Sequence, residues 1–402
     1  MIATRRLPGL IYTHRYTAYA IGIIVSTFVY LLFKWNVFCV NLQAWQHVKK
    51  MCTLYEQGLA IGSLCAPLCV SKDIHSLTCH SFQAAKEAVF SAEWHNIKLV
   101  FKSVDTDVQP IHWYDNGLLR YPTEKEFLST IRTIVKRKLN LTLAYDTASR
   151  LARLKPSYEE KDLVKRRQEM DSLWYLLQDN EYLLSTIFTD KDIFPQLIGT
   201  CGPYFAVEYL DPVPFTSAVF AISEDWGQRL KFALQILELL DELDTSFREP
   251  FHLCDVKLSH FGYVKNMKKL KYLDLDEAFP RTVINSLFKL SKCNSDDDCE
   301  FLDCRSTCNS TTNKCKQEIG NNNLQIVCEK IFLGWRMSNT VIVPGLLMSQ
   351  QTPSELASIL RQCANPEGVS GKVRKMPDDE VRKRLYNVLF EMEQSVNNDF
   401  FL

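Results

Sequence analysis

The sequence lacks a net charge: 47 basic residues balance 47 acidic ones over 402 positions. No global field therefore draws this chain to nucleic acid or to an anionic surface. It also lacks an internal repeat, which sets aside solenoids and propellers. No G-x-G-x-x-G loop occurs anywhere, so any phosphate-binding role has to come without that glycine signature. With 46% hydrophobic and 23% charged residues, the rest is ordinary globular composition for one large or two medium domains.

One long uncharged run is present. "YTAYAIGIIVSTFVYLLF" covers residues 16–33 without a charge. At about 1.5 Å per residue it spans roughly 27 Å, close to the hydrocarbon thickness of a bilayer. Tyr16, Tyr19 and Trp35 sit near its ends, and no small-x-small cleavage site follows, so an uncleaved signal-anchor is expected. Arg5, Arg6 and Arg15 precede it while Lys34 alone follows closely, which orients the N-terminus to the cytoplasm. All 14 cysteines lie beyond the run, and Asn140 and Asn309 head glycosylation sequons. Together these features predict a single-pass type II protein whose bulk faces the secretory lumen.

Residues 39–80 hold Cys39, Cys52, Cys65, Cys69 and Cys79. In an oxidising compartment these read as disulfides rather than metal ligands. A second cluster, Cys293, Cys299, Cys304, Cys308 and Cys315, becomes six with Cys328. Its spacings are too irregular for paired zinc knuckles and predict a small disulfide module whose connectivity stays open. Between the clusters, "AVFSAEWHNIKLVFKSV" reads as strand, turn, strand. Helical periodicity follows over 123–187, opened by a Thr123–Glu126 capping box. "LIGTCG" and "YFAVEYLDP" read as paired short strands, and "DWGQRLKFALQILELLDEL" as a long helix. Near the C-terminus Thr352, Pro353 and Glu355 predict another capped helix start.

Isolated acids then stand at the ends of apolar runs. Asp255 interrupts "FHLCDVKLSHFGYV", and Asp274 ends "KKLKYLD" 19 positions later. A buried carboxylate is costly unless something binds it. Protein kinases place a base in H-R-D-x-x-x-x-N and a metal-binding Asp in D-F-G. Aligned on Asp255, Leu253 and Cys254 replace His-Arg, Lys257 keeps the usual lysine and His260 takes the Asn place. Asp274 stands where the D-F-G aspartate would, in "DLD". Upstream, Lys102 ends the strand "IKLVFK" and Glu181 lies in "LLQDNEYLL", the lysine and helix-glutamate positions of that scheme. Gly58 and Gly62 are positional candidates for a glycine loop, and Glu208 joins the same nucleotide-binding set.

"LLQDNEYLL", "LIGTCG", "LCDVKLSHFG", "KYLDLDEAFP", "CNSDDDCEFLDCRSTC" and "LRQCANP" resemble the cysteine-rich divergent protein kinase domain family, over about residues 50–365. The resemblance implies an α+β, bilobal protein-kinase-like fold with a helical small-lobe insert and residence in the endoplasmic reticulum or Golgi. On that frame, residues 1–15 are cytoplasmic, 16–33 span the membrane, and 39–80 are a cysteine-rich start to the small lobe. Residues 81–211 then form the kinase-like N-lobe, and 212–402 the C-lobe with the cysteine module 293–328. ATP and Mg are the implied cofactors: Asp255 and Lys257 catalytic, Lys102 and Glu181 on the phosphates, Asp274 and His260 on the metal. Some relatives carry an EF-hand-like insertion, but here Pro110 stands where that loop needs glycine and Asn116 where it needs glutamate. Two functions stay open. One is an ATP-dependent phosphotransferase acting on lumenal protein or glycan hydroxyls; the other is a pseudokinase serving as a lumenal scaffold.

Overall fold

The structure is a computed structural model that describes residues 19, 21–27, 41–79, 88–104, 111, 113–152, 162–213, 226–264, 269–337, 340–368 and 371–399. The chain divides into two compact units, Met1–Asp107 with Gly199–Ala206, and Val108–Ile198 with Val207–Leu402.

In the first unit, helix α1 (Asn41–Glu56) turns at Gly58, whose φ of +72° suits glycine, into the short helix α2 (Cys65–Cys69). Disulfides Cys52–Cys69 and Cys65–Cys201 tie these helices to each other and to the sheet. That sheet runs β1 (His75–Cys79), β2 (Val89–Trp94), β3 (Ile97–Ser103), then β5 (Tyr204–Glu208) and β4 (Leu197–Cys201). Strands β2 and β3 pair antiparallel from Val89↔Lys102 to Trp94↔Ile97. Their two-residue turn puts His95 and Asn96 at φ of +49° and +64°, the mirror-image turn that matches strand twist. Phe90 and Phe101 stack at 5.1 Å on the buried face. Gly62 has a different reason to be glycine: a Cβ there would lie 2.1 Å from the Thr200 carbonyl oxygen. The backbone of 61–64 instead docks on the 200–202 turn through Leu64 N–H to Thr200 O (3.0 Å) and Gly202 N–H to Ile61 O (3.1 Å).

The second unit begins with a hairpin, Trp113–Asp115 with Leu118–Arg120, and helix α3 (Glu124–Leu139). The Thr123–Glu126 capping box forms, and Arg120 reinforces it with an ion pair to Glu126 at 2.7 Å. Helix α4 (Tyr145–Ala152) follows. The rest of the helical periodicity over 123–187 divides at Asp179 into α5 (Leu163–Gln178) and α6 (Asn180–Ile187). Asp179 adopts an extended conformation between them and its carboxylate accepts the Tyr182 N–H at 2.8 Å, ending one helix and capping the next. Helix α7 (Trp226–Thr245) buries Leu230, Phe232, Ile236, Leu240 and Leu243 at helical spacing. Strands β6 (Phe251–Leu253) and β9 (Ala278–Pro280) pair antiparallel, as do β7 (Phe261–Val264) and β8 (Lys269–Tyr272). Helix α8 (Arg281–Leu290) leads into the cysteine-rich segment, and α9 (Asn323–Val327), α10 (Ser354–Ala364) and α11 (Asp379–Asp399) complete the unit.

The helices within 108–198 cluster with the second unit, where α3 packs on α8 and β9. One expectation changes: the Thr352 cap does not form; α10 starts at Ser354, and the Thr352 hydroxyl donates to Leu347 O (2.7 Å) and accepts from Ser349 N–H (2.8 Å) instead.

The cysteine module is not self-contained. Cys293–Cys308 and Cys299–Cys315 interleave within it, but Cys304 pairs with Cys254 and Cys328 with Cys363. Cys254, Ile284, Phe288, Cys293, Cys299, Cys304, Cys315 and Ile319 form one buried cluster, so the segment shares a core with α8. Cys79 is also disulfide-bonded, and no free cysteine occurs among the described residues; Cys39 lies outside them. The expected cytoplasmic segment 1–15 and the stretch 105–110 lie outside them as well. Of the expected span 16–33, residues 19 and 21–27 are described; they are helical, with Ile21, Ile23, Ile24 and Val25 exposed. Among the described residues no helix is long and apolar enough to cross a membrane.

Candidate functional site

The loop after β6 carries Asp255. Its approach is fixed by Asn323, whose side chain accepts Leu253 N–H (2.8 Å) and donates to Phe251 O (2.7 Å). Cys254 donates its N–H to Glu277 O (2.9 Å) and accepts at its carbonyl from Asp303 N–H (2.7 Å), alongside the Cys254–Cys304 disulfide. The Asp303 carboxylate then takes Val256 N–H (2.7 Å) and is itself paired with Lys330 (2.6 Å). The cysteine in the place of the kinase arginine is therefore part of the loop's frame.

His260 closes a short 3-10 turn, Leu258–His260, that turns the chain into β7. Its ring is buried, with Nδ1 2.9 Å from the Asp255 carbonyl, which also accepts the Tyr272 hydroxyl at 2.8 Å. A carbonyl can only accept, so Nδ1 carries a proton and donates. Nε2 is left facing the Asp274 carboxylate at 3.3 Å. Burial lowers the His260 pKa and outweighs the upward pull of Asp274 and Asp255. Lys257, more than half exposed, donates to the other side of the cluster at Asp255 Oδ2, 2.7 Å away. Asp255, His260 and Asp274 each offer a ligand atom, all within 4.8 Å of one another.

Asp274 sits at the end of β8, and the loop beyond it hangs on Asn180. That side-chain amide donates to Leu275 O (2.9 Å), Asp276 O (3.2 Å) and Ala278 O (2.9 Å). Nearby, burial raises the Glu277 carboxyl, helped by Asp276, Asp274 and Asp255. Burial likewise pushes the Tyr272 hydroxyl well above its usual range, with Asp274, Asp255 and Asp303 adding to it. The site is thus crowded with negative charge around an imidazole. Two carboxylates and an imidazole nitrogen are the donor set of a divalent cation.

The remaining expected residues divide. Glu181 is fully buried on α6 in the second unit, and Lys102 is buried on β3 in the first. Gly58 and Gly62 precede β1 and serve a turn and a close backbone approach. Glu208 has side-chain partners of its own. Its carboxylate is committed to the buried Lys271 (2.5 Å) and to Gln196 N–H (2.9 Å), a charge that Lys271 needs once it is out of water. Lys271 is shared with Asp192 at 2.7 Å; burial opposes ionisation of Asp192, but Lys271 and then Lys269 hold its carboxyl below the usual value.

The sulfurs of Cys293, Cys299 and Cys308 also converge, yet all three are in disulfides and offer no metal site. Asn140 caps α3 at φ +53° and its amide donates to Glu249 (2.9 Å), whereas the Asn309 side-chain oxygen accepts from the Thr311 and Thr312 N–H groups in a turn exposed over 310–314.

Two family models match this chain. Residues 173–366 match the model described as the protein-kinase domain of FAM69, and residues 6–153 the one described as N-terminal cysteine-rich ER, FAM69. The chain belongs to this cysteine-rich divergent kinase family. The FAM69 kinase-domain match contains Glu181, Asp255, His260 and Asp274, and the N-terminal match contains Lys102. The description of the N-terminal model ties that region of the family to the endoplasmic reticulum. Among solved structures, an Rv3197–erythromycin complex from Mycobacterium tuberculosis is similar at 13% identity, covering 67% of this chain and 68% of that one, with a TM-score of 0.27. At that score the likeness carries no argument.

Sequence reasoning missed Asn180, Tyr272, Asp303 and Cys254 as parts of the site's frame. One signal was present. The segment 293–315 holds five cysteines, and an odd count demands a partner from outside.

Proposed function

We propose that this protein is a single-pass type II protein of the endoplasmic reticulum, with Golgi residence as the alternative, whose lumenal kinase-like domain transfers phosphoryl groups from ATP to protein or glycan hydroxyls. The observation that carries the reading is the convergence of Asp255, His260 and Asp274 within 4.8 Å at the ends of two strands. In this scheme Asp255 orients the acceptor hydroxyl and takes its proton, and Lys257, bonded to Asp255 Oδ2, holds that carboxylate in place. Asp274 and His260 would hold the divalent ion, which neutralises phosphate charge when Mg-ATP is bound. Lys102 and Glu181 keep the phosphate-side roles that the family resemblance implies for each. The membrane anchor rests on the uncharged run 16–33, the arginines before it and the disulfides after it.

A pseudokinase scaffold is the second reading. What favours it is His260 in the Asn place, together with glycines 58 and 62 engaged in backbone packing. Full-length protein in detergent, incubated with labelled ATP and divalent ions, separates the two. Autophosphorylation lost in Asp255→Asn supports transfer; nucleotide binding without turnover under every ion supports the scaffold. Removal of N-glycans from the intact protein should shift its mobility if the domain is lumenal.

A further inference from the structure

We propose that His260 and Asp274, with the Asp255 carboxylate beside them, form a preorganised site for one first-row transition ion, with Mn²⁺ as the probe, which the chain binds in preference to Mg²⁺ and without nucleotide. The inference deepens the kinase-like reading of this site and rests on it only for the ion's use.

Three observations carry it. First, the imidazole is aimed before any ion arrives. Nδ1 is committed to the Asp255 carbonyl at 2.9 Å, and Leu273 N–H holds the His260 carbonyl at 2.7 Å, which fixes both ring and backbone. A metal-bound histidine whose second nitrogen donates to a carbonyl has this arrangement. Second, Nε2 sits 3.3 Å from the Asp274 carboxylate in a residue only 7% exposed. Nε2 and the carboxylate oxygen are thus turned toward each other at the spacing of two neighbouring ligand atoms on one cation. Third, the Asp255 carboxylate closes the third side within the same 4.8 Å. An Asn in this position offers a hard oxygen, which suits Mg²⁺. An imidazole nitrogen is softer; magnesium takes it poorly, while affinity for nitrogen donors rises along the first-row transition ions from Mn²⁺ upward. The histidine therefore changes which ion the site selects.

The test uses the full-length chain in detergent, free of nucleotide, titrated with Mn²⁺ and followed by electron paramagnetic resonance. One ion should bind, with nitrogen modulation in the echo spectrum from a directly ligated imidazole. Mg²⁺ should displace it only at concentrations about tenfold higher or more. His260→Asn should abolish the modulation and narrow the Mn²⁺ to Mg²⁺ ratio, and Asp274→Asn should lose the ion. The modulation is read on the parent protein, so the assignment stands or falls even if a variant does not fold. Bound Mn²⁺ without nitrogen modulation, equal affinity for Mg²⁺, or no binding at all would overturn it. Adding ATP distinguishes the two readings. A modulated Mn²⁺ signal with no nucleotide binding keeps the metal site and defeats the kinase reading. ATP turnover on Mg²⁺ alone, without modulation in the Mn²⁺ form, keeps the kinase reading and defeats the metal assignment.

Discussion

The loop that carries Asp255 is fastened at every residue from 253 to 256, by Asn323 at 253, the disulfide at 254, the Tyr272 hydroxyl at 255 and Asp303 at 256. In the loop beyond Asp274 one side chain, the Asn180 amide, takes three carbonyls, beside the Cys254 N–H on Glu277 O. Both loops deliver a carboxylate to the same cluster, but several side chains and a disulfide share the work in one, while a single side chain supplies three of the bonds in the other. Support spread over several groups tolerates the loss of any one of them; support concentrated in one side chain tolerates it less. The position of Asp255 should therefore survive damage that would move Asp274.

The largest effect should come from the carboxylates themselves. Asp255→Asn should reduce phosphoryl transfer by about 10²–10⁴-fold, the contribution of a positioned base, measured as initial rates with labelled ATP. A residual rate within a factor of a few of the parent would remove Asp255 from the chemistry.

Next in size is the covalent fastening. Replacing both Cys254 and Cys304 by alanine opens a crosslink of 50 positions, worth about 4 kcal/mol in the chain-entropy model. Denaturant unfolding should show that loss, while the folded fraction keeps its Mn²⁺ affinity because the hydrogen bonds to 253, 255 and 256 remain. Lost affinity in the folded protein would mean the disulfide, and not the set of bonds, sets the position.

Asn180→Ala should reverse the pattern. It strips the amide from three carbonyls, two of them in buried contacts, for about 2–4 kcal/mol of stability. Here ion affinity should fall by about 10–100-fold, as it does when outer supports of a metal site are removed. Unchanged affinity would erase the contrast between the two loops.

The smallest effect sets a baseline from a residue on neither loop. Burial raises the Asp171 carboxyl to about 6, against the lowering effects of Tyr121 and Arg167. Between about pH 4 and 6 the folded chain keeps a proton that the unfolded chain has released, so stability falls as pH rises through that window. At pH 7 the ionised group then costs up to about 2 kcal/mol. Asp171→Asn should stabilise by about that amount at pH 7, with the gain vanishing near pH 4 and ion affinity unchanged. A gain that persists at pH 4 would point to packing instead of charge.

What could be read from the sequence was local. The His95–Asn96 turn, the Thr123–Glu126 box and the β7–β8 hairpin each depend on residues a few positions apart. Those signals also located Asp255, His260 and Asp274, because an acid ending an apolar strand is a local oddity. The frame around them was not legible. Asn180 reaches carbonyls about 95 residues away, and Cys254 pairs across 50, so nothing within a sequence window marks either. Asp179 shows the limit inside a window: the apolar period continues through it, yet its side chain offers the backbone a better bond as a cap. Thr352 shows the reverse, a cap motif outbid by the Leu347 carbonyl.

The bridge between Cys65 and Cys201 has a consequence for how the protein is made. Its ends are 136 positions apart, and two strands of the same sheet, β4 and β5, come from the far side of that gap. At about 5–20 residues per second, a ribosome needs on the order of ten to thirty seconds to supply them. For that time Cys65 has emerged without its partner, beside Cys52 and Cys69, which are close enough in sequence to pair with it. The thiol that must wait longest is thus surrounded by the quickest wrong partners, and correct pairing calls for oxidation that stays reversible until Cys201 arrives.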